Sequence, residues 1–170
     1  MTKLATLDDL LVHEMQDLYD AEHQILKALP KMAKAASSDA LRNAFQLHIK
    51  ETEAQVQRLE QAFAALGKPA KGTKCDGMAG LIKEGSKIMS EDTSPEVLDA
   101  ALIAAAQKVE HYEIAGYGCV ATYAQMLGRN EVRELLVQTL EEEEATDEKL
   151  TELAESLINV RAEHPGSFTR

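Results

Sequence analysis

The chain has 170 residues, enough for one domain with a sizeable core. It carries 29 acidic against 18 basic side chains, a net charge of −11 at pH 7, which argues against nucleic acid or an anionic membrane as partner. No stretch reaches the roughly 18 apolar residues of a membrane span, and the N-terminus lacks a signal-peptide pattern.

Ala, Leu, Glu, Lys and Gln dominate, aromatics are few and Trp is absent, a composition that favours helix throughout. The first helix is expected over 7–36. Thr6 is placed to cap it, with Asp8 and Asp9 favourable in its first turn. Its apolar line is Leu11, Leu18, Ile25, Leu29 and Met32, and Glu22 falls on that line. Pro30 is expected to kink the helix or end its regular part. Ser37-Ser38-Asp39 then forms a turn and cap cluster.

The second helix is expected over 40–66, stopped by Gly67-Lys68-Pro69. Its inner line reads Leu41, Ala44, His48, Glu51, Gln55, Leu59, Ala62 and Leu66, polar at the centre. Residues 67–96 form a connection long enough to cross the length of a bundle. Met78, Leu81, Ile82 and Met89 predict a short amphipathic helix over 77–90 within it. Ser94-Pro95 starts a helix over 95–127, with an inner line of Leu98, Leu102, Ala105, Val109, Gly116, Val120 and Leu127. Glu113 lies on this line and Glu110 beside it. The last long helix is expected over 131–160, lined by Leu136, Leu140, Glu143, Asp147, Leu150, Ala154 and Leu157, with a frayed tail from 162. No region has strand character. The chain reads as one all-α domain over 1–170, an antiparallel four-helix bundle whose long crossover carries a short extra helix.

The four long helices have about thirty residues each, with midpoints near 21, 53, 112 and 145. Glu22, Glu51, Glu113 and Glu143 all lie within a turn of those midpoints, so antiparallel packing brings them to one height. Glu110 and Asp147 are a turn away and can join them. A weak repeat supports this: 29 residues separate Glu22 from Glu51 and 30 separate Glu113 from Glu143. Glu-His also recurs at Glu22-His23 and Glu110-His111, which leaves open whether Glu110 or Glu113 is the counterpart of Glu22. Carboxylates crowded into one dry layer cannot all stay ionised without cations. Two divalent ions would neutralise most of the charge, and oxygen ligands with some imidazole suit Fe, Mn or Mg.

Other readings stand beside the site. His48 is either a hydrogen-bonded core histidine or a ligand. Glu141–Glu144 is mostly a solvated run, with Glu143 inward and Glu144 the next choice. Tyr19, Tyr112 and Tyr117 are expected to pack and to bond carboxylates through their hydroxyls. Cys75 and Cys119 are far apart and form no CxxC, which fits reduced thiols in a cytoplasmic protein.

The segments His48–Thr52, Lys108–Tyr117 (KVEHYEIAGY) and Leu140–Leu150 (LEEEEATDEKL), with Ala21-Glu22 upstream, resemble the bacterial YciF/YciE proteins. The resemblance runs from about Leu7 to Leu157 and implies a ferritin-like, stress-associated homodimer with a two-metal site. In the wider ferritin and rubrerythrin pattern, Glu22, Glu51, Glu110, Glu113 and Glu143 match ligand positions, with Asp147 where a His stands. Three residues after Glu51 is Ala54 rather than His; His48 or Gln55 can fill that place. The expected metal set is therefore Glu22, His48, Glu51, Glu110, Glu113, Glu143 and Asp147. The expected cofactor is a dinuclear Fe or Mn centre, with Mg able to occupy it in a purified sample, acting on oxygen or peroxide. The alternative function is a non-catalytic structural or interaction bundle, with metal absent or structural.

Overall fold

The computed structural model describes residues 4–167. The last residues of the expected frayed tail, 168–170, and the first three of the N-terminus lie outside the described residues. Four long helices, α1 (Leu7–Ala35), α2 (Asp39–Ala65), α4 (Pro95–Met126) and α5 (Asn130–Leu153), form the bundle. The short α3 (Asp76–Ile88) lies in the crossover, and there is no strand among the described residues.

The caps act as their sequences dictate. Thr6 and Asp9 form a reciprocal capping box: Asp9 N donates to Thr6 Oγ1 at 3.1 Å and Thr6 N donates to Asp9 Oδ2 at 3.0 Å. The α1–α2 turn is tied to α4 by the buried Asp99. It accepts from Ser37 N at 2.8 Å, Ser37 Oγ at 2.6 Å and Ser38 N at 2.8 Å. Gly67 and Gly128, at φ 65° and 68°, supply the left-handed residue that ends α2 and α4. Pro30 does not end α1, which continues to Ala35. Pro30 is exposed, so water can bond the carbonyl its ring leaves unpaired. The last helix departs from the expected unbroken run over 131–160. After Leu153 it widens into a π-helical turn, Ala154–Ile158, and ends as α6 (Asn159–Glu163). The wider turn keeps Leu150, Ala154 and Ile158, four residues apart, over one core.

Cross-helix contacts fix the directions. Ser37 meets Asp99 and Asp8 meets Arg129, so α1 and α4 are antiparallel. Arg58 meets Thr139 and Glu51 meets Lys149, so α2 and α5 are antiparallel. The pairs α1/α5 and α2/α4 therefore lie on the diagonals. The crossover climbs the α1 side: Thr73 N donates to Gln16 O at 3.0 Å and Cys75 N to Asp20 Oδ2 at 2.8 Å. There α3 seats across α1 and α4.

Gly77, in the first turn of α3, makes this seating possible. A Cβ there would stand 2.7 Å from Tyr112 Cε2. The ring cannot swing aside, because its hydroxyl donates to Asp17 at 2.7 Å and lies 3.0 Å from Cys75 Sγ. Gly77→Ala is therefore expected to cost about 1–3 kcal/mol, measured by denaturant unfolding. Gly80→Ala, with nothing within 4 Å, is the control and should be neutral or slightly stabilising.

Among the described residues the apolar core falls into two clusters, one at each end of the bundle. One is built around Ile25, Leu29, Leu41, Phe45, Leu102 and Ile158. The other is built around Leu11, Met15, Leu59, Phe63, Val120 and Leu136. Between them lies a buried polar layer: Glu22, His48, Thr52, Gln55, Glu110, Glu113, Thr139, Glu143 and Thr146.

Candidate metal centre

Each long helix contributes to the polar layer. Glu22 comes from α1, His48 from α2, Glu110 and Glu113 from α4, and Glu143 from α5, and none is more than 4% exposed. One ligand atom from each of His48, Glu110, Glu113 and Glu143 lies within 4.8 Å of the others. His48 reaches across the α2/α4 diagonal, with Nε2 3.2 Å from Glu110 Oε1, while Nδ1 is 3.5 Å from Glu51 Oε2. Neither contact has the alignment of a hydrogen bond. Both oxygens of Glu113 and of Glu143, and one each of Glu22 and Glu110, are also buried without a partner. Such groups are costly in a folded protein unless a ligand or proton satisfies them.

The electrostatics express the same crowding. Burial pushes the Glu22 carboxyl up to about 7, against the pull of the hydrogen bond from Tyr117 Oη, 2.5 Å away. Burial, then the charges of Glu143, Glu22 and Glu110, raise Glu113 well above the carboxylate range. Burial and Glu110 raise Glu143 likewise. Burial pulls the His48 imidazole down, but the carboxylates of Glu110, Glu51 and Glu143 together outweigh it and hold the ring well above its ordinary value. Opposed carboxyl and imidazole groups, dry and short of partners, make a donor set suited to a hard or borderline divalent cation.

Glu51 and Asp147 take a different place. The buried line of α2 runs His48, Thr52, Gln55, Leu59, so Glu51 stands to one side and is partly exposed. Its carboxylate is held below the usual range, first by His48 and also by Lys149, 3.9 Å away. The buried line of α5 runs Leu136, Thr139, Glu143, Thr146, Leu150. Asp147 flanks it, pairing with the exposed His111 at 3.1 Å, with Oδ1 buried and unpaired. Glu144 is exposed. Gln55 is buried and donates to Glu142 at 3.2 Å. The three tyrosines bond carboxylates: Tyr19 to Glu60 at 2.9 Å, Tyr112 to Asp17 and Tyr117 to Glu22.

Arg58 was not anticipated. It is nearly buried and donates to Thr139 at 2.7 Å and to both oxygens of Glu142, at 3.0 and 2.8 Å. This pairs Glu142 with a guanidinium across the α2/α5 contact. The signal was present, since Arg58 follows Gln55 by three residues and so shares its face.

The family described as "Domain of unknown function (DUF892)" matches residues 6–163. Protein YciF of Escherichia coli (strain K12) is 46% identical over 162 residues, covering 95% of this chain and 98% of that protein. The crystal structure of the E. coli stress protein YciF superposes with a TM-score of 0.88 over 92% of this chain and 99% of its own. YcfI of Rhodopseudomonas palustris superposes at 0.86 with 43% identity, over 88% of this chain and 95% of its own. A Xanthomonas campestris protein (XCC3681) superposes at 0.72 over 93% of this chain and 97% of its own; at 20% identity it speaks to the fold alone. No helix among the described residues is long and apolar enough to cross a membrane.

Proposed function

The chain belongs to the family described as "Domain of unknown function (DUF892)", and on that premise we propose that it is a ferritin-like stress protein of the cytoplasm that holds a carboxylate-bridged pair of iron or manganese ions. The observation that carries this reading is the set of six carboxylate oxygens and two imidazole nitrogens, in Glu22, His48, Glu110, Glu113 and Glu143, that are buried without a hydrogen bond. His48, Glu110, Glu113 and Glu143 would hold the ions, with Glu22 on the α1 side and Glu51 and Asp147 at the flanks. A pair of such ions supplies a Lewis-acidic, redox-active centre for oxygen or peroxide.

The chain's own groups then have definite tasks. Glu22, Glu113 and Glu143 give up protons as cations enter, so binding is coupled to proton release. Tyr117 orients Glu22 by donating to Oε1, leaving Oε2 for a cation. Arg58 neutralises Glu142 beside Gln55 at the edge of the layer. The two apolar clusters exclude water on either side, which strengthens every charge interaction within it.

The test is elemental analysis of protein purified without chelator, then anaerobic Fe(II) or Mn(II) titration. About two ions per chain are expected, as in other carboxylate bundles. Glu110→Gln with Glu143→Gln should abolish tight binding while the helical content stays unchanged. Light scattering on the same sample tests the proposed homodimer. A second reading, a structural or interaction bundle without metal, is favoured by the raised carboxyl groups, which can persist protonated. A titration with no endpoint would give that reading the lead.

A further inference from the structure

A cleft of about 90 Å³ opens between α1, α3 and α4 and runs inward to His48 and Glu110. Along most of its depth the walls are apolar: Ile25, Leu29, Leu81, Ile82, Ala106 and Val109. The inner end is polar. His48 and Glu110, 4% and 1% exposed, close it, and both imidazole nitrogens and Glu110 Oε2 are buried without a hydrogen bond. The mouth is basic, with Lys27 and Lys31 exposed on successive turns of α1. Gln24 also lines the cleft, but its amide nitrogen already donates to Asp20 and to the Cys75 carbonyl. A smaller, more enclosed cavity of about 70 Å³ reaches His48 and Glu110 from the α2/α5 side.

We propose that the α1/α3/α4 cleft binds a short neutral alcohol, hydroxyl innermost, against His48 and Glu110. Each feature removes a competing guest. Water and peroxide have no apolar part to bury against the walls, whereas dioxygen or a hydrocarbon leaves the inner polar atoms unsatisfied. A carboxylate head meets Glu110 and the acidic layer behind it, and an ammonium head must pass Lys27 and Lys31 to lie beside the imidazole. A hydroxyl both donates and accepts, so one group can donate to Glu110 Oε2 and accept from an imidazole N–H. Size limits the buried part to about four heavy atoms, scaled from the roughly 150 Å³ that holds benzene. A longer tail would leave along the methylene stems of the two lysines. A role for the bound alcohol as reactant beside the layer rests on the proposed metal centre; the binding itself does not.

The experiment titrates metal-free full-length protein, in EDTA, with 1-butanol and follows the methyl groups by NMR. Methyls of Ile25, Leu29, Ile82 and Val109 should shift and saturate, while Leu11 and Leu59 in the far cluster stay unchanged. Butyrate, butylammonium and methyl propyl ether, the isomer of butanol that cannot donate, should each bind about tenfold more weakly. Gly85 lines the cleft on α3, and a Cβ there would meet only Ala105 Cβ, at an ordinary 3.6 Å. Gly85→Leu fills the passage with a better helix former and should abolish the butanol shifts. Glu110→Leu removes the innermost acceptor, and butanol should then bind no more tightly than the ether. Butanol that binds wild-type protein no better than the ether, or shifts that survive Gly85→Leu, overturn the proposal. Strongest shifts at Leu47 and Leu150, in the smaller cavity, also overturn it. Failure of the metal reading shows separately, as a Mn(II) titration without an endpoint.

Discussion

Metal-free protein is expected to lose stability as pH rises from about 5 to 8, the reverse of ordinary acid denaturation. Glu22, Glu113 and Glu143 are raised in the folded state. A group raised on folding contributes stability that is complete below its unfolded value, 4.5 here, and is lost as pH rises through its folded value. His48 is raised as well and acts with the same sign above 6.5. Glu51 is lowered and has the opposite sign, but its effect falls below 4.5, outside the window. Moving Glu22 alone from 4.5 to about 7 corresponds to roughly 3 kcal/mol. At this chain length that is about 6–12 °C in Tm. Mn(II), added anaerobically, should reverse the slope, because cations take the deprotonated carboxylates. At a hundredfold excess over Kd it should add about 2.7 kcal/mol. Calorimetric melts at pH 5, 6, 7 and 8, with EDTA or with Mn(II), measure both effects. A metal-free profile that is flat or rises with pH would contradict the crowded-carboxyl account.

Glu113→Leu is expected to stabilise the metal-free protein by about 1–4 kcal/mol at pH 8, because a buried carboxyl without a hydrogen-bond partner gives way to an apolar group of similar size. Glu113 is the right position because neither of its oxygens has a partner. Glu22→Leu should gain less, since it orphans the buried Tyr117 hydroxyl, which now donates to Glu22. Glu113→Leu should also flatten the pH slope and abolish high-affinity Mn(II) binding. Unfolding curves and Mn(II) titration of both variants test the ordering. A destabilised Glu113→Leu protein that still binds Mn(II) would remove Glu113 from the centre.

Much of the architecture could be read from residue spacing, because the signals were local. Caps at Thr6, Ser38 and Ser94, the glycine stops and the three-and-four apolar rhythm all act within a few residues of where they are written. The carboxylate layer was legible for a related reason: helices of similar length align their midpoints. Finer placement was not. Between His48 and Gln55 the helix period permits either Glu51 or Thr52 on the inner line, and between Glu143 and Leu150 either Thr146 or Asp147. The threonines are the buried ones. They are the smaller choice, and burying a hydroxyl and a methyl beside Glu143 and His48 costs less than burying a further carboxylate there. The partner of His48 could not be read either, because the contact with Glu110 crosses a diagonal that no local pattern encodes. The π-helical turn was likewise invisible, being a tertiary adjustment that seats Ile158.

The division of the core into two apolar blocks separated by an acidic slab bears on cooperativity. Each block is large enough to hold its end of the bundle, while the slab between them contributes little cohesion when it is bare. Opening fluctuations should therefore nucleate at mid-height and release one end at a time. Amide hydrogens of Gly116–Ala124 and of Ile103–Val109, on one continuous helix, would then exchange with different free energies. Bridging the slab would merge the two ends into a single unit that opens only as a whole.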